Sequence, residues 1–201
     1  MEDDKIKNIA GADLDLMKGR WSDVCPLILA AGKGTRMGNG SSPKVLCKIH
    51  GHTLIEHLLE HVEGSQLSIK PTVVVGYGAK DIKETLGDRV DYAMQEEQLG
   101  TGHAVKSAKA VLANKCKHVL VLYGDHPYVP SYIINELVSL HKGRGAALTL
   151  CTTIVPDFEV WRKDLYAYGR IIRAVDGHIT KIVEMKDANS EELLIKELNV
   201  G

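Results

Sequence analysis

The sequence has no excess of charge of either sign, because 25 lysine and arginine residues are balanced by 26 aspartate and glutamate residues in a chain of 201. A nearly neutral chain has no overall attraction for nucleic acid or for an anionic membrane, so any anion must bind to a local cluster of charge. The chain also lacks the roughly 20 consecutive apolar residues of a membrane span, and its polar N-terminus lacks the apolar region of a signal peptide. We therefore expect a cytoplasmic protein without nucleic-acid or membrane partners.

Cysteine is scarce, and the four cysteines are too widely spaced to form a CxxC pair. Three of them lie inside apolar runs. This distribution favours buried thiols in a reducing compartment. The four residues are Cys25, Cys47, Cys116 and Cys151.

Apolar residues make up 44% of the sequence, which is enough for one well-buried core. Helical spacing of apolar residues follows Thr53, Thr101 and Ser131, and the two threonines are candidate N-caps. Alternating strands and helices predict an α/β fold with a doubly wound, mostly parallel sheet flanked by helices. The predicted strands are short apolar runs typical of strands buried on both faces, at 24–31, 72–75, 118–123 and 146–154.

Ligands of doubly wound sheets bind beyond the carboxyl ends of the strands. That rule brings the loops 32–44, 76–78 and 124–127 to one edge of the sheet. Further along, residues 170–183 contain two strand patterns around an Asp-Gly turn, which predicts a small antiparallel hairpin on the substrate side. We expect an N-terminal extension at 1–23 and one domain at 24–201.

The loop after the first predicted strand, residues 32–38, is rich in glycine and carries Lys33 and Arg36, with Lys44 close behind. Converging backbone N–H groups and several cations suit a triphosphate. The glycine spacing is one residue longer than the dinucleotide motif GxGxxG, and no acidic residue ends the second strand. The P-loop motif GxxxxGK[ST] is absent as well. The pattern alone leaves a structural turn and a phosphate-binding loop equally open.

Seven segments then follow a recognisable order: LAAGKGTRM at 29–37, PKVL at 43–46, QEEQLGTGHA at 95–104, YGD at 123–125, YGR at 168–170, VEMKDA at 183–188 and ELN at 197–199. In this order they resemble the sugar-phosphate nucleotidyltransferases, and in particular the uridyltransferase domains of the bacterial N-acetylglucosamine-1-phosphate uridyltransferases. The resemblance runs from Leu27 to the end of the chain. It implies a Rossmann-like sheet of the nucleotide-diphospho-sugar transferase type.

The resemblance also implies an activity. A sugar 1-phosphate, N-acetylglucosamine 1-phosphate in the resembling proteins, attacks the α-phosphorus of UTP and releases pyrophosphate, with Mg²⁺ as cofactor. No covalent intermediate with the protein is needed, and the protein positions the anions and stabilises charge. Arg36 and Lys44 match the phosphate-contacting catalytic pair, and Asp125 matches the metal ligand.

The resemblance assigns binding roles to two further groups. The nucleotide-binding group is Leu29, Ala31, Gly32, Gly34, Thr35, Gln95, Gly100 and Thr101. The sugar-binding group is Gly169, Glu184 and Asn199. An amide at Gln95 can pair with the imide edge of uracil and so select uracil over cytosine. The attacking phosphate is already ionised, so His103 is not needed as a general base and is expected to be structural.

Two departures from the family leave alternatives open. Residues 156–166 add a loop with the only phenylalanine, which suits a lid, an altered substrate wall or a subunit contact. The family's domain continues beyond the equivalent of Gly201 with a second metal-binding asparagine and often an acetyltransferase β-helix, so we expect a domain truncated at its C-terminal end. The alternatives are a nucleotidyltransferase with another nucleotide or acceptor, and a non-catalytic nucleotide-sugar-binding module. A homo-oligomer is compatible with either.

Overall fold

The computed structural model describes residues 21–32 and 42–199, which form two compact units divided after Lys142. The first unit contains a four-stranded parallel sheet and a short antiparallel hairpin. Its strands are β1 (Val24–Leu29), β2 (Lys48–Ile49), β3 (His52–Thr53), β4 (Thr72–Val75), β5 (Asp91–Met94) and β6 (His118–Tyr123). The helices are α1 (Leu54–Glu63), α2 (Ala79–Leu86), α3 (Thr101–Ser107), α4 (Lys109–Leu112) and α5 (Ser131–Gly143).

Strand β1 lies inside the parallel sheet, whose strand order is β5-β4-β1-β6. It pairs with β4 on one edge and with β6 on the other, and all six of its residues are buried. Alternate residues of a strand point to opposite faces. Ile28 accordingly shares a core cluster with α1, α2 and α5, whereas Leu27 shares one with α3 and α4. Helices on both faces of a parallel sheet confirm the predicted α/β fold class.

Three of the four predicted strands are confirmed, and the run at 146–154 is wrong as a strand of the parallel sheet. Only Thr153–Ile154 of that run is a strand, and it pairs antiparallel with a strand of the second unit. Leu148 is 73% exposed. An apolar run predicts burial, but a strand also needs a neighbouring backbone in register. The edge strand β5 was not predicted, because only one of its four residues is buried.

The second unit contains a four-stranded antiparallel sheet, whose strands are β7 (Thr153–Ile154), β8 (Gly169–Arg173), β9 (Ile179–Val183) and β10 (Glu197–Asn199). The strand order in this sheet is β7-β10-β8-β9. The β8–β9 hairpin confirms the predicted one, and Gly177 in its turn has a φ of 85°, which glycine adopts without strain. A 3-10 helix, Val160–Ala167, occupies most of the additional loop.

Burial of the cysteines differs from the prediction. Cys25 is fully buried in β1, and burial raises the pKa of its thiol to about 11. Cys47 and Cys151 are exposed, although the apolar run before Cys47 includes the buried Val45. All four thiols are free. In the part of the chain that the structure describes, no helix has both the length and the apolar character to cross a bilayer.

Helix α1 begins at a capping box, which confirms Thr53 as its N-cap. The backbone N–H of Glu56 donates to Thr53 Oγ1 at 3.3 Å. In return, the Glu56 carboxylate accepts from the Thr53 hydroxyl at 2.7 Å and from its backbone N–H at 2.8 Å. The hydroxyl bond is the main cause that lowers the pKa of Glu56 below its ordinary value. The other predicted cap is wrong: Gly100 precedes α3 with a φ of 97°, and Thr101 is its first residue.

We expect Thr53→Ala to lower the free energy of unfolding by about 1 kcal/mol near neutral pH. A carboxyl with a depressed folded pKa stabilises the fold above its unfolded pKa and stops doing so as the pH falls through its folded pKa. The difference between wild type and variant should therefore shrink in acid, as measured by urea unfolding at about pH 7 and about pH 3.

Thr85→Ala is the matched control, because Thr85 Oγ1 donates to the Asp81 carbonyl inside α2 and caps nothing. Removal of this hydroxyl group should change the free energy of unfolding only slightly. An equal loss in both variants, or a Thr53→Ala loss that is independent of pH, would contradict the capping account.

Candidate functional site

A cavity of about 320 Å³ lies at the carboxyl ends of the parallel strands in the first unit. Eight of the residues assigned from the sequence line it: Leu29, Ala31, Gly32, Lys44, Gln95, Gly100, Thr101 and Asp125. Five further residues complete the lining: Ala30, Val45, Gln98, Ala104 and Tyr123. Residues far apart in sequence thus meet where the topology of a doubly wound sheet predicts a ligand.

Two glycines allow the loops to approach one another behind this cavity. A Cβ on Gly76 would lie 2.9 Å from the carbonyl oxygen of Gln95 and 3.1 Å from the Cβ of Ala31. A Cβ on Gly124 would lie 3.0 Å from the carbonyl oxygen of Leu29, which accepts the Gly124 N–H at 2.9 Å. Side chains at these two positions would push the strand ends apart, so the glycines are needed for close approach.

Lys44 and Asp125 form an ion pair inside the cavity, with Nζ 2.8 Å from Oδ2. Lys44 begins the 3-10 helix Lys44–Leu46, and Asp125 follows the end of β6. Their side chains are 40% and 31% exposed, so both remain within reach of a ligand. The structure therefore brings the predicted phosphate-binding cation and the predicted metal ligand into direct contact.

Gln95 is only 4% exposed, and its amide group is oriented by two contacts. Nε2 donates to the Gly100 carbonyl at 3.2 Å and lies 3.1 Å from His103 Nδ1. Because an amide NH₂ group only donates, His103 Nδ1 is the acceptor of this hydrogen bond. His103 therefore helps to fix the orientation of the Gln95 amide group. Among the described residues, none donates a hydrogen bond to Gln95 Oε1.

Gln98 also lines the cavity, although the sequence prediction gave it no role. Its Nε2 donates to the Ala31 carbonyl at 2.9 Å and ties the loop before α3 to the end of β1. The sequence did contain a signal for a role of Gln98 at the cavity, because Gln98 lies inside the motif at 95–104, between Gln95 and Gly100. A second amide in a ligand loop indicates either recognition or loop bracing, and here it braces the loop.

The three predicted sugar-binding residues lie together in the second unit. Gly169 pairs with Asn199 across strands β8 and β10. A Cβ on Gly169 would lie 3.6 Å from Glu184 Oε1 and 3.7 Å from Asn199 Cβ. The carboxylate of Glu184 is exposed at the end of β9, and Asn199 is half-buried. A backbone N–H, a carboxylate and an amide are therefore grouped within one small area of this sheet.

Gly34, Thr35 and Arg36 lie outside the described residues, so their predicted roles remain predictions. Among the residues that the structure does describe, no three histidine, cysteine or acidic side chains are grouped as a metal cage would require. Asp125 nevertheless fits a divalent cation, because its carboxylate is directed into the cavity and already accepts a cationic group there. Magnesium needs only one or two carboxylates when substrate phosphates supply further oxygens.

The chain is similar to the N-terminal parts of curated bacterial proteins. The bifunctional protein GlmU of Levilactobacillus brevis is 45% identical over 175 residues, which are 87% of this chain and 36% of that protein. The bifunctional protein GlmU of Shouchella clausii is 41% identical over 185 residues, which are 92% of this chain and 38% of that protein. The chain thus spans 36 to 38% of the length of these relatives.

Among solved structures, UDP-glucose pyrophosphorylase complexed with UDP-glucose is similar, with a TM-score of 0.63 and 20% identity. The similarity covers 89% of this chain and 74% of that one. At this identity the likeness shows a shared fold. A family model described as the MobA-like NTP transferase domain matches residues 26–176, from β1 to the turn between β8 and β9. Because the match covers most of the sequence, the chain belongs to the family of MobA-like NTP transferase domains.

Proposed function

We propose that this chain catalyses uridylyl transfer from UTP to a sugar 1-phosphate, with N-acetylglucosamine 1-phosphate as the preferred acceptor. The products are a UDP-sugar and pyrophosphate. One observation carries the proposal: Lys44, Gln95 and Asp125 line a single cavity beside the end of β1. That cavity combines a cation for phosphate, an amide for a base and a carboxylate for a metal. The same combination suits a nucleoside triphosphate better than a dinucleotide.

The reaction brings two anions together, so cations are its first requirement. An oxygen of the sugar 1-phosphate attacks the α-phosphorus of UTP, the new P–O bond forms in line, and the bond to pyrophosphate breaks. Lys44 supplies a point charge for the phosphates, and Arg36 adds a planar fork in the proposed cradle. Neither residue exchanges a proton with the substrate. Their contribution is positioning and stabilisation of charge in the transition state.

Asp125 is the proposed ligand of a divalent cation, Mg²⁺ in the simplest case. Bound there with the phosphate oxygens, the ion would neutralise charge that develops on the triphosphate. Lys44 contacts one oxygen of the Asp125 carboxylate, Oδ2, so a cation on that oxygen would compete with the ammonium group. The phosphates of the substrate would offer Lys44 another partner. Lys44 would then serve as a counter-ion of the substrate as well as of Asp125.

Gln95 is the proposed reader of the base. Its Nε2 is held by Gly100 and contacts His103, which leaves Oε1 to accept the imide N–H of uracil. Cytosine has no proton at that position and would place a lone pair against the oxygen. The acceptor sugar is proposed to bind Gly169, Glu184 and Asn199, and residues 24–201 to serve as one nucleotidyltransferase domain. A nucleoside triphosphate substrate also favours a cytoplasmic location.

Lys44→Ala should lower kcat for pyrophosphate release about a hundredfold or more, because a charge that stabilises the leaving group is lost. Arg36→Ala should have an effect of similar size. The control is Lys48→Ala, since Lys48 lies four positions further on in β2, is exposed and does not line the cavity. Full turnover in both Lys44→Ala and Arg36→Ala would overturn the proposed cradle.

The preference for UTP over CTP should be on the order of a hundredfold in kcat/KM, and Gln95→Ala should remove most of it. Turnover of CTP, GTP and dTTP against a panel of sugar phosphates measures this preference. Thymine shares the imide edge of uracil, so dTTP should be the best of the three. Equal use of UTP and CTP would exclude the role of Gln95. Calorimetric binding of a UDP-sugar without any turnover would favour a non-catalytic binding module.

Lys44→Met should tighten binding of Mn²⁺ by about two- to fivefold without nucleotide, because an exposed ion pair that competes for the carboxylate is worth up to about 1 kcal/mol. Asp125→Asn should abolish this binding. Electron paramagnetic resonance of free Mn²⁺ gives the affinity directly.

The matched control is Asp91→Asn, because Asp91 is also paired with lysines, Lys70 at 3.3 Å and Lys115 at 2.7 Å, but lies away from the cavity. It should leave Mn²⁺ binding unchanged. Equal Mn²⁺ affinity in wild type and Asp125→Asn would contradict the assignment of Asp125.

A further inference from the structure

Arg170 is fully buried, which is unusual for an arginine, and it directly follows the proposed sugar-binding residue Gly169. Its guanidinium carbon lies 5.0 Å from the ring centre of Phe158 and 4.9 Å from that of Tyr166. The two rings meet edge to face at 5.0 Å. One amino group donates to the carbonyl of Tyr166 at 3.0 Å, and the other donates to the carbonyl of Tyr168.

This cation has no carboxylate partner among the described residues, and its Nε has no hydrogen-bond partner there either. Burial lowers the pKa of the guanidinium below its ordinary value. An unpaired buried charge is costly, so the two rings and the two carbonyls must offset its desolvation. Such an arrangement holds its neighbours in one geometry, because moving any one of them away would leave the buried charge less well solvated.

The contacts of Arg170 join the additional loop to strand β8. Phe158 and Tyr166 both belong to that loop, and the carbonyls of Tyr166 and Tyr168 lie on the backbone that enters Gly169. Within the loop, Arg162 and Asp157 form an ion pair at 2.7 Å, which joins the residues before the 3-10 helix to the helix itself. The loop is therefore fixed to the sheet through a side chain that lies one residue from the proposed sugar contact.

We propose that Arg170 is a positioning residue for the acceptor sugar: it fixes the backbone at 166–169, so that the N–H of Gly169 stays beside Glu184 and Asn199. The proposal rests on the proposed function. Space around Gly169 is narrow, since a Cβ there would lie 3.2 Å from the Val183 carbonyl. A small backbone shift would therefore change how the three residues meet a sugar. The sequence leaves three roles open for residues 156–166: a lid, an altered substrate wall or a subunit contact. This proposal favours the substrate wall.

The test compares wild type with Arg170→Lys in the intact protein, because lysine keeps the charge but lacks the planar guanidinium that donates to two carbonyls while contacting two rings. We expect the KM for the sugar 1-phosphate to rise about tenfold, since small misplacements of a binding group have effects of this size or larger. The KM for UTP should change less than about twofold, because UTP is bound by other residues. Tyr166→Phe is the matched control, as it keeps both the ring and the carbonyl.

Hydrogen exchange supplies a readout that does not depend on turnover. Amides at 166–169 should exchange about tenfold faster in Arg170→Lys than in wild type, whereas those of β1 should not change. Unchanged exchange, an unchanged KM for the sugar phosphate, or an equal rise in both KM values would overturn the positioning role. Absence of turnover in the wild type with every nucleotide and acceptor would instead overturn the proposed function, and the exchange data would still decide whether Arg170 holds the loop.

Discussion

The burial of strand β1 on both faces is the constraint on which the first unit depends. Its six residues are all buried, and parallel neighbours occupy both edges, so its backbone can change neither face nor register without exposing apolar surface. The carboxyl ends of β1, β4, β5 and β6 consequently lie at one edge of the sheet. The loops that leave this edge carry Lys44, Gln95 and Asp125, and the cavity between them is a consequence of strand pairing.

The ion pair between Lys44 and Asp125 sets the electrostatics of this cavity. Each charge neutralises the other at 2.8 Å, so neither of these two side chains faces the cavity as an uncompensated charge. In the proposed function, a triphosphate with a divalent cation would replace one such interaction by two, ammonium with phosphate and carboxylate with metal. Both side chains are partly exposed, so water screens their attraction and little free energy is lost when the pair separates. Substrate and cofactor are thus expected to bind together.

Much of the fold followed from the sequence, because three apolar runs and the capping box at Thr53 are local signals that the tertiary contacts of this protein reinforce. The run at 146–154 failed, because the partner of a strand is set by backbone geometry that a run of apolar residues does not encode. Eight assigned cavity residues meet as the motifs implied. Side-chain networks could not be predicted. Gln95, His103 and Arg170 stand in the quoted motifs, but the motifs give neither the contact of Gln95 with His103 nor the burial of Arg170.

The proposed reaction transfers the uridylyl group of UTP, with its α-phosphorus, to a sugar phosphate. It is tested by following UTP labelled with ³²P at the α-position, with and without N-acetylglucosamine 1-phosphate. We expect the label to appear in a UDP-sugar, in amounts equal to the pyrophosphate released, and only when the acceptor and a divalent cation are both present. Label recovered in UMP, or UTP left unconsumed under these conditions, would contradict it.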